Sequence, residues 1–207
     1  MKKTAFYLLS LLFFSNIPAF SQMDMTKSSY TNKEVDLKTN MRKLFSDCLT
    51  WQRIYAIEVY TLSLDSDKAK TRLSRNQDEI GNVFRAYFND DTANQMTNLS
   101  KQSIQLIADY SNTARGGGFK NDIVTKLHDN ADAVADLLSR ANMNWTKADL
   151  SNVLRKYFDL LCAEIDTQSG GAGSIDANAL DATFDHCMLV SDMYALGIMR
   201  QYPAKFW

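Results

Sequence analysis

An all-α fold follows from three observations on the 207-residue sequence. Apolar residues recur at three- and four-residue spacing over long runs, and no run alternates with the two-residue period of a strand. The only prolines are Pro18 and Pro203, and a body free of proline favours long helices because proline is poorly tolerated inside them. Finally, the stretch 130–165 returns when displaced by 54 residues: Asn130 falls on Asn76, Asp132 on Asp78, Val134 on Ile80, Thr146 on Thr92, Val153 on Leu99 and Leu161 on Ile107. Recurrence of this kind marks a repeated helical hairpin, here 76–113 and 130–167. The expected architecture is one domain over 35–207, a bundle of four long helices with shorter helices packed on it.

The N-terminus reads as a targeting signal. Lys2 and Lys3 precede an apolar run at 5–17, and Ala19-Phe20-Ser21 offers small residues to a signal peptidase, placing cleavage after Ser21. The run falls short of the roughly 20 apolar residues of a membrane span, and no cysteine follows closely for a lipid anchor. A periplasmic or secreted location is therefore expected, with no integral span after cleavage. Removing Lys2 and Lys3 from the 23 basic residues leaves 21 against 24 acidic ones. That mild negative balance argues against nucleic acid, whose partners carry strongly basic faces.

Residues 22–34 are polar and aperiodic, as in a flexible terminus. Helical spacing then runs over 35–64 through Met41, Leu44, Phe45, Cys48, Trp51 and Tyr55, and Asp65-Ser66-Asp67 terminates it. A polar connection rich in Lys and Arg leads to Asn76-Gln77-Asp78-Glu79, which has the pattern of a capping box opening a short helix. Thr92 opens a longer one that ends before Gly116-Gly117-Gly118, residues poor at forming helix. The second copy begins at Asn130, and Thr146 with Asp149 caps its long arm. A glycine-rich stretch at 169–173 precedes a last helix over 176–201, which Pro203 follows.

Aligning the four long helices brings Cys48, Ser103, Tyr157 and Phe184 to one layer of the bundle interior. One thiol, one hydroxyl, one phenol and one phenyl ring do not make a metal site, and the Glu-x-x-His pair of di-iron bundles does not occur. That layer is the candidate ligand-binding position, expected to hold no metal or cofactor. A second, polar cluster comprises Asn76, Asp78, Asn130 and Asp132 at two predicted helix starts. Arg53, two residues past Trp51 and turned away from the central stripe, is available to pair with one of these acids. Trp51 and Trp145 are expected to be buried, the latter stapled against Leu150. Glu164 is the acid expected to face inward, without an identifiable proton-transfer partner. Cys48, Cys162 and Cys187 sit within apolar patterns and read as buried thiols.

Trp51-Gln52-Arg53, Arg72-Leu73 with Asn76 and Asp78-Glu79-Ile80, Asn130-Ala131-Asp132, Asn142 with Trp145, and Gly197-Ile198 through Pro203 together resemble a group of small exported bacterial all-helical proteins. That group has no assigned activity, though its members are often labelled glycosyltransferases. The resemblance extends from Leu44 to Phe206. It implies a ligand or metal site inside the bundle, because the positions of Cys48, Ser103 and Tyr157 are commonly histidine in that group. This chain departs at all three. Nucleotide-sugar enzymes rest on α/β sheets with phosphate-facing loops, and no such pattern occurs here.

Two functional classes are thus in play. One is a non-catalytic binding or envelope-associated module whose partner is a small molecule or an envelope protein. The alternative is a metal- or ligand-binding protein or enzyme with a degenerate site inside the bundle.

Overall fold

The computed structural model describes residues 29–169 and 177–207. The expected signal segment, most of the polar terminus and the glycine-rich stretch at 170–173 lie outside those residues. Among the described residues there are six α-helices and no strand. They are α1 (Asn32–Tyr60), α2 (Ser66–Arg85), α3 (Asp90–Arg115), α4 (Asn121–Ala141), α5 (Lys147–Ser169) and α6 (Ala177–Gln201), followed by a 3-10 turn at Pro203–Phe206.

The all-α expectation holds, but the division into long and short arms does not. The expected short arms are the full helices α2 and α4, of 20 and 21 residues. The segment 66–75 was read as a connection because it is dominated by Lys, Arg, Asp and Ser. Lys and Arg are good helix formers, and two inward residues, Ala69 and Leu73, are enough to seat that part of α2 on the core. Asn76 and Asn130 are consequently mid-helix residues, and neither caps a helix. The other boundaries shift less. Thr31 and Glu34 form a reciprocal capping box that starts α1 at Asn32, three residues before the expected point. Asn89 caps α3 by accepting from the Thr92 amide at 2.8 Å. Thr146 caps α5 as anticipated, accepting from the Asp149 amide at 3.1 Å.

α1 stops at Tyr60, ahead of Asp65. Leu62 takes a left-handed φ of 57°, while the Ser63 amide donates to the Glu58 carbonyl at 2.9 Å. This 6→1 bond closes a Schellman turn. α3 ends in the same way, with Gly117 at φ 69° and the Gly118 amide on the Thr113 carbonyl at 3.0 Å.

The six helices close into a ring. α2 packs between α1 and α3, α4 between α3 and α5, and α6 between α5 and α1, while α1, α3 and α5 also touch one another along the centre. Short connections make neighbours antiparallel, so the three central helices share one direction. Each outer helix grips the backbone of the central helix before it. Asn76 Nδ2 donates to the Leu44 carbonyl at 3.0 Å, Asn130 Nδ2 to the Leu99 carbonyl at 3.0 Å, and His186 Nε2 to the Val153 carbonyl at 2.8 Å. A carbonyl only accepts, so His186 carries its proton on Nε2.

Buried side chains stack along the centre in triplets. Met41, Met96 and Leu150 form one level, and Cys48, Ser103 and Tyr157 another, all below one-tenth exposed. Phe84, Leu138 and Tyr194 occupy matching places on the outer helices and are buried too. Burial of this much apolar surface is the main force holding the ring together.

One end is plugged by aromatic rings. Tyr194 meets Phe84 edge-on at 5.4 Å and Trp145 at 5.8 Å, and Phe88 lies 5.9 Å from Trp145. Trp145 is buried as expected. Its anchor is on α6: the indole Nε1 donates to the Met193 carbonyl at 3.1 Å. The ring lies against Gly197, where a Cβ would come within 1.9 Å of Nε1. Asn142 Nδ2 fixes the same stretch by donating to the Gly197 carbonyl at 2.9 Å.

Candidate functional site

A cavity of about 70 Å³ lies at the centre of the ring, lined by residues from all six helices. Cys48, Ser103 and Tyr157 all face it, so three of the four positions named from sequence converge. They do so because α1, α3 and α5 are parallel and in register. Phe184 does not join them. It is 41 % exposed and lines an outer groove with Leu49, Arg53 and Leu180. The inward stripe of α6 runs through Thr183, Cys187, Val190 and Tyr194. Thr183 can be buried because its hydroxyl bonds back to the Ala179 carbonyl at 2.8 Å. Apolar character alone pointed to the phenyl ring, one residue and about 100° further round the helix.

The polar side chains around the cavity form short chains of hydrogen bonds. The Tyr157 hydroxyl donates to Gln52 Oε1, joining α5 to α1. Gln77 Nε2 donates to Cys48 Sγ at 3.2 Å and to Asn76 Oδ1 at 3.1 Å. Ser103 returns its proton to the Ser100 carbonyl at 2.7 Å. Asn130 spends both amide protons on the Leu99 carbonyl and Gln102 Oε1. Gln52 and Gln77 are buried glutamines that sequence reading passed over. Gln52 lies next to Trp51 and takes the inward place expected of it. Trp51 itself is only partly buried and has the Arg72 guanidinium 5.7 Å above its ring.

Every ionisable group at the cavity is held neutral near neutral pH. Burial pushes the Cys48 thiol up to about 11, against the smaller opposing effect of the Gln77 amide. Burial likewise raises the Tyr157 phenol well above its ordinary range. Cys187, next round the ring, is raised by burial and by its proximity to Cys48. None of these is a ready nucleophile, since reactivity belongs to the thiolate. Cys48, Cys162 and Cys187 are all free and buried. Among the described residues, no group of three or more His, Cys, Asp or Glu is placed to hold a metal ion.

The second cluster does not assemble. Asp78 pairs with Lys101 at 2.6 Å and Asp132 with Arg155, both on the outer surface between helices, away from the inward-facing Asn76 and Asn130. Arg53 pairs with neither acid. It reaches Glu164 on α5, with Nε 2.7 Å from Oε1. Glu164 faces inward as expected, at 3 % exposure, and Arg53 is the partner that sequence reading could not identify. Burial raises the Glu164 pKa, and the guanidinium opposes the rise. The contact is a close charge pair with poor hydrogen-bond alignment, and neither carboxylate oxygen has a well-formed hydrogen bond. Glu164 does not line the cavity.

Compared with known proteins, the chain matches no family model, no curated protein and no solved structure. Among the described residues, no helix is long and apolar enough to cross a membrane.

Proposed function

We propose that the chain is an exported, non-catalytic helical module that binds a small molecule at the centre of its ring. The observation that carries this reading is the cavity of about 70 Å³. Native interiors are close-packed, with few voids larger than a water molecule. This one sits where polar side chains from several helices converge. Its lining of neutral amides, hydroxyls and a protonated thiol suits recognition more than catalysis, which needs a group poised to exchange a proton or attack. Export, with cleavage after Ser21, is part of the proposal and rests on the Lys pair, the apolar run and the small residues before Gln22.

We further infer that the ring is built from three copies of one helical hairpin, α1–α2, α3–α4 and α5–α6. The support is the common position of the three grips on Leu44, Leu99 and Val153. Under that reading the cavity lies on a pseudo-threefold axis. Superposing the hairpins should carry Asn76 onto Asn130 and onto His186; unrelated helix directions would sink the idea.

Native mass spectrometry of the protein recovered from its own envelope fraction tests the binding reading. A stoichiometric small molecule, lost in Ser103→Leu, is the expected result. Stoichiometric transition metal lost in Cys48→Ala would instead favour a metal carrier or enzyme. N-terminal sequencing should begin at Gln22, and retention of Lys2 would end the export proposal.

A further inference from the structure

The cavity's unsatisfied hydrogen-bonding groups define what it takes, and this inference rests on the binding reading above. None of the described residues lining it is charged. A charged guest would be buried without a counter-ion, which is strongly unfavourable. A purely apolar guest would leave buried amides unpaired, which is also costly.

Gln52 accepts from Tyr157 through Oε1, and its Nε2 protons have no partner among the described residues. Gln77 uses its Nε2 protons on Cys48 and Asn76, leaving Oε1 open. Asn130 uses its protons on α3, leaving Oδ1 open. Ser103 and Tyr157 each donate their one proton elsewhere and keep acceptor lone pairs. The lining therefore offers several acceptors facing one amide donor. Gln52 and Gln77 are 2 % and 4 % exposed, so bulk water does not serve them. Met96, Val134, Leu154 and Phe158 supply an apolar wall.

A void of about 150 Å³ accommodates benzene. By that measure a cavity of about 70 Å³ takes three or four non-hydrogen atoms. The group that meets several acceptors and one donor at this size is the primary amide. Its two N–H bonds reach acceptors, its carbonyl takes a Gln52 proton, and a methyl group faces the apolar wall. We propose that the central cavity binds a small neutral primary amide, either free or as the terminal carboxamide of a longer molecule.

The test is titration of the full mature protein with acetamide, ethanol and acetate, followed by calorimetry and by the side-chain amide resonances of Gln52 and Gln77. Acetamide should bind with a Kd of roughly 0.1–1 mM, within what four non-hydrogen atoms support. Ethanol and acetate should bind at least about tenfold more weakly, one decade in Kd being the smallest difference taken as discrimination. Ser103→Leu, which fills the cavity, should abolish acetamide binding. If that variant does not fold, Gln52→Met keeps the volume, removes the amide and should give the same loss. Equal binding of acetamide and ethanol, or acetamide binding that survives both substitutions, overturns the proposal. If acetamide fails while native mass spectrometry recovers a different molecule lost in Ser103→Leu, the amide class falls and the binding reading stands. If nothing binds and Ser103→Leu raises the melting temperature, the cavity is a packing void and both fall. Propionamide beside acetamide separates the two sources: a longer molecule entering by its end should let the added methylene bind without loss, whereas a closed site for a free amide should reject it.

Discussion

The first two hairpins and the third solve the same packing problem with different chemistry. In α1–α2 and α3–α4 the outer helix grips its neighbour through a buried asparagine, Asn76 or Asn130. In α5–α6 the grip is the imidazole of His186, part-buried, on Val153. The central level differs too: Cys48 and Ser103 are small, whereas Tyr157 spans to Gln52 on another hairpin. The positions that hold helix to helix change modestly among the three, and those facing the cavity change most. A scaffold position must satisfy one backbone carbonyl, so few side chains suit it. A cavity position is constrained only by its guest and by the volume left open.

The sharpest break in the comparison is Trp145, because its counterpart one hairpin earlier is the exposed Asp91. Trp145→Ala should cost about 3–5 kcal/mol in chemical denaturation, the range for a buried aromatic. Asp91→Ala should stay within about 0.5 kcal/mol. Equal losses would show that the two interhelical corners are built alike after all.

The central level should differ on titration. The Cys48 thiol ionises at about 11 when folded against 9.0 ordinarily, and Ser103 has no such proton. A raised pKa contributes stability that is present below the unfolded value and lost as pH rises through the folded one. About 2–3 kcal/mol should therefore disappear between pH 9 and 11, superimposed on other alkaline ionisations. Cys48→Ser should lose less over that window. Identical profiles for parent and variant would mean that Cys48 is not the group concerned. Glu164 is raised as well, so the same sign applies from its ordinary value of 4.5 upward. Its carboxyl resonance should titrate above that value, and Arg53→Met should move it higher still.

The grips rank next. Asn76 is fully buried and Asn130 nearly so. Replacement by alanine should cost about 2–3 kcal/mol at Asn76 and 1–2 kcal/mol at Asn130. His186→Asn should be tolerated best of all if the third hairpin shares the geometry of the others. A loss there larger than at Asn76→Ala would separate α5–α6 from the other two.

The smallest expected effect compares two helix ends. Leu62 and Gly117 hold the same left-handed position, where a side chain is strained and glycine is not. Leu62 is 68 % exposed, so Leu62→Gly gives up little packing and should stabilise by about 0.5–1 kcal/mol. A destabilised variant would indicate that the leucine packs in solution.

Much of the helical content was legible in the sequence because it is written in periodicity, and the level of Cys48, Ser103 and Tyr157 was legible because displacement by 54 residues links Ser103 to Tyr157. The ring was not. Helix α2 begins in residues chosen for solubility, so its first half carries too few apolar side chains to announce itself. The resulting count of four long helices then placed Phe184 inside. Gln52 and Gln77 escaped notice because glutamine is ordinarily exposed. Only tertiary structure shows that each found a partner. Arg53 and Glu164 lie 111 residues apart, and no local pattern joins them.

Trp145 rests on Gly197 with no space for a single methyl group between them. The two positions therefore cannot drift independently. Enlarging residue 197 is disfavoured while the indole is present, and shrinking residue 145 leaves a hole that glycine cannot fill. In a library of random substitutions, Gly197→Ala should be rescued by Trp145→Leu and by few changes elsewhere. Such sign epistasis would make this corner the slowest part of the molecule to change over generations, whatever the cavity comes to hold.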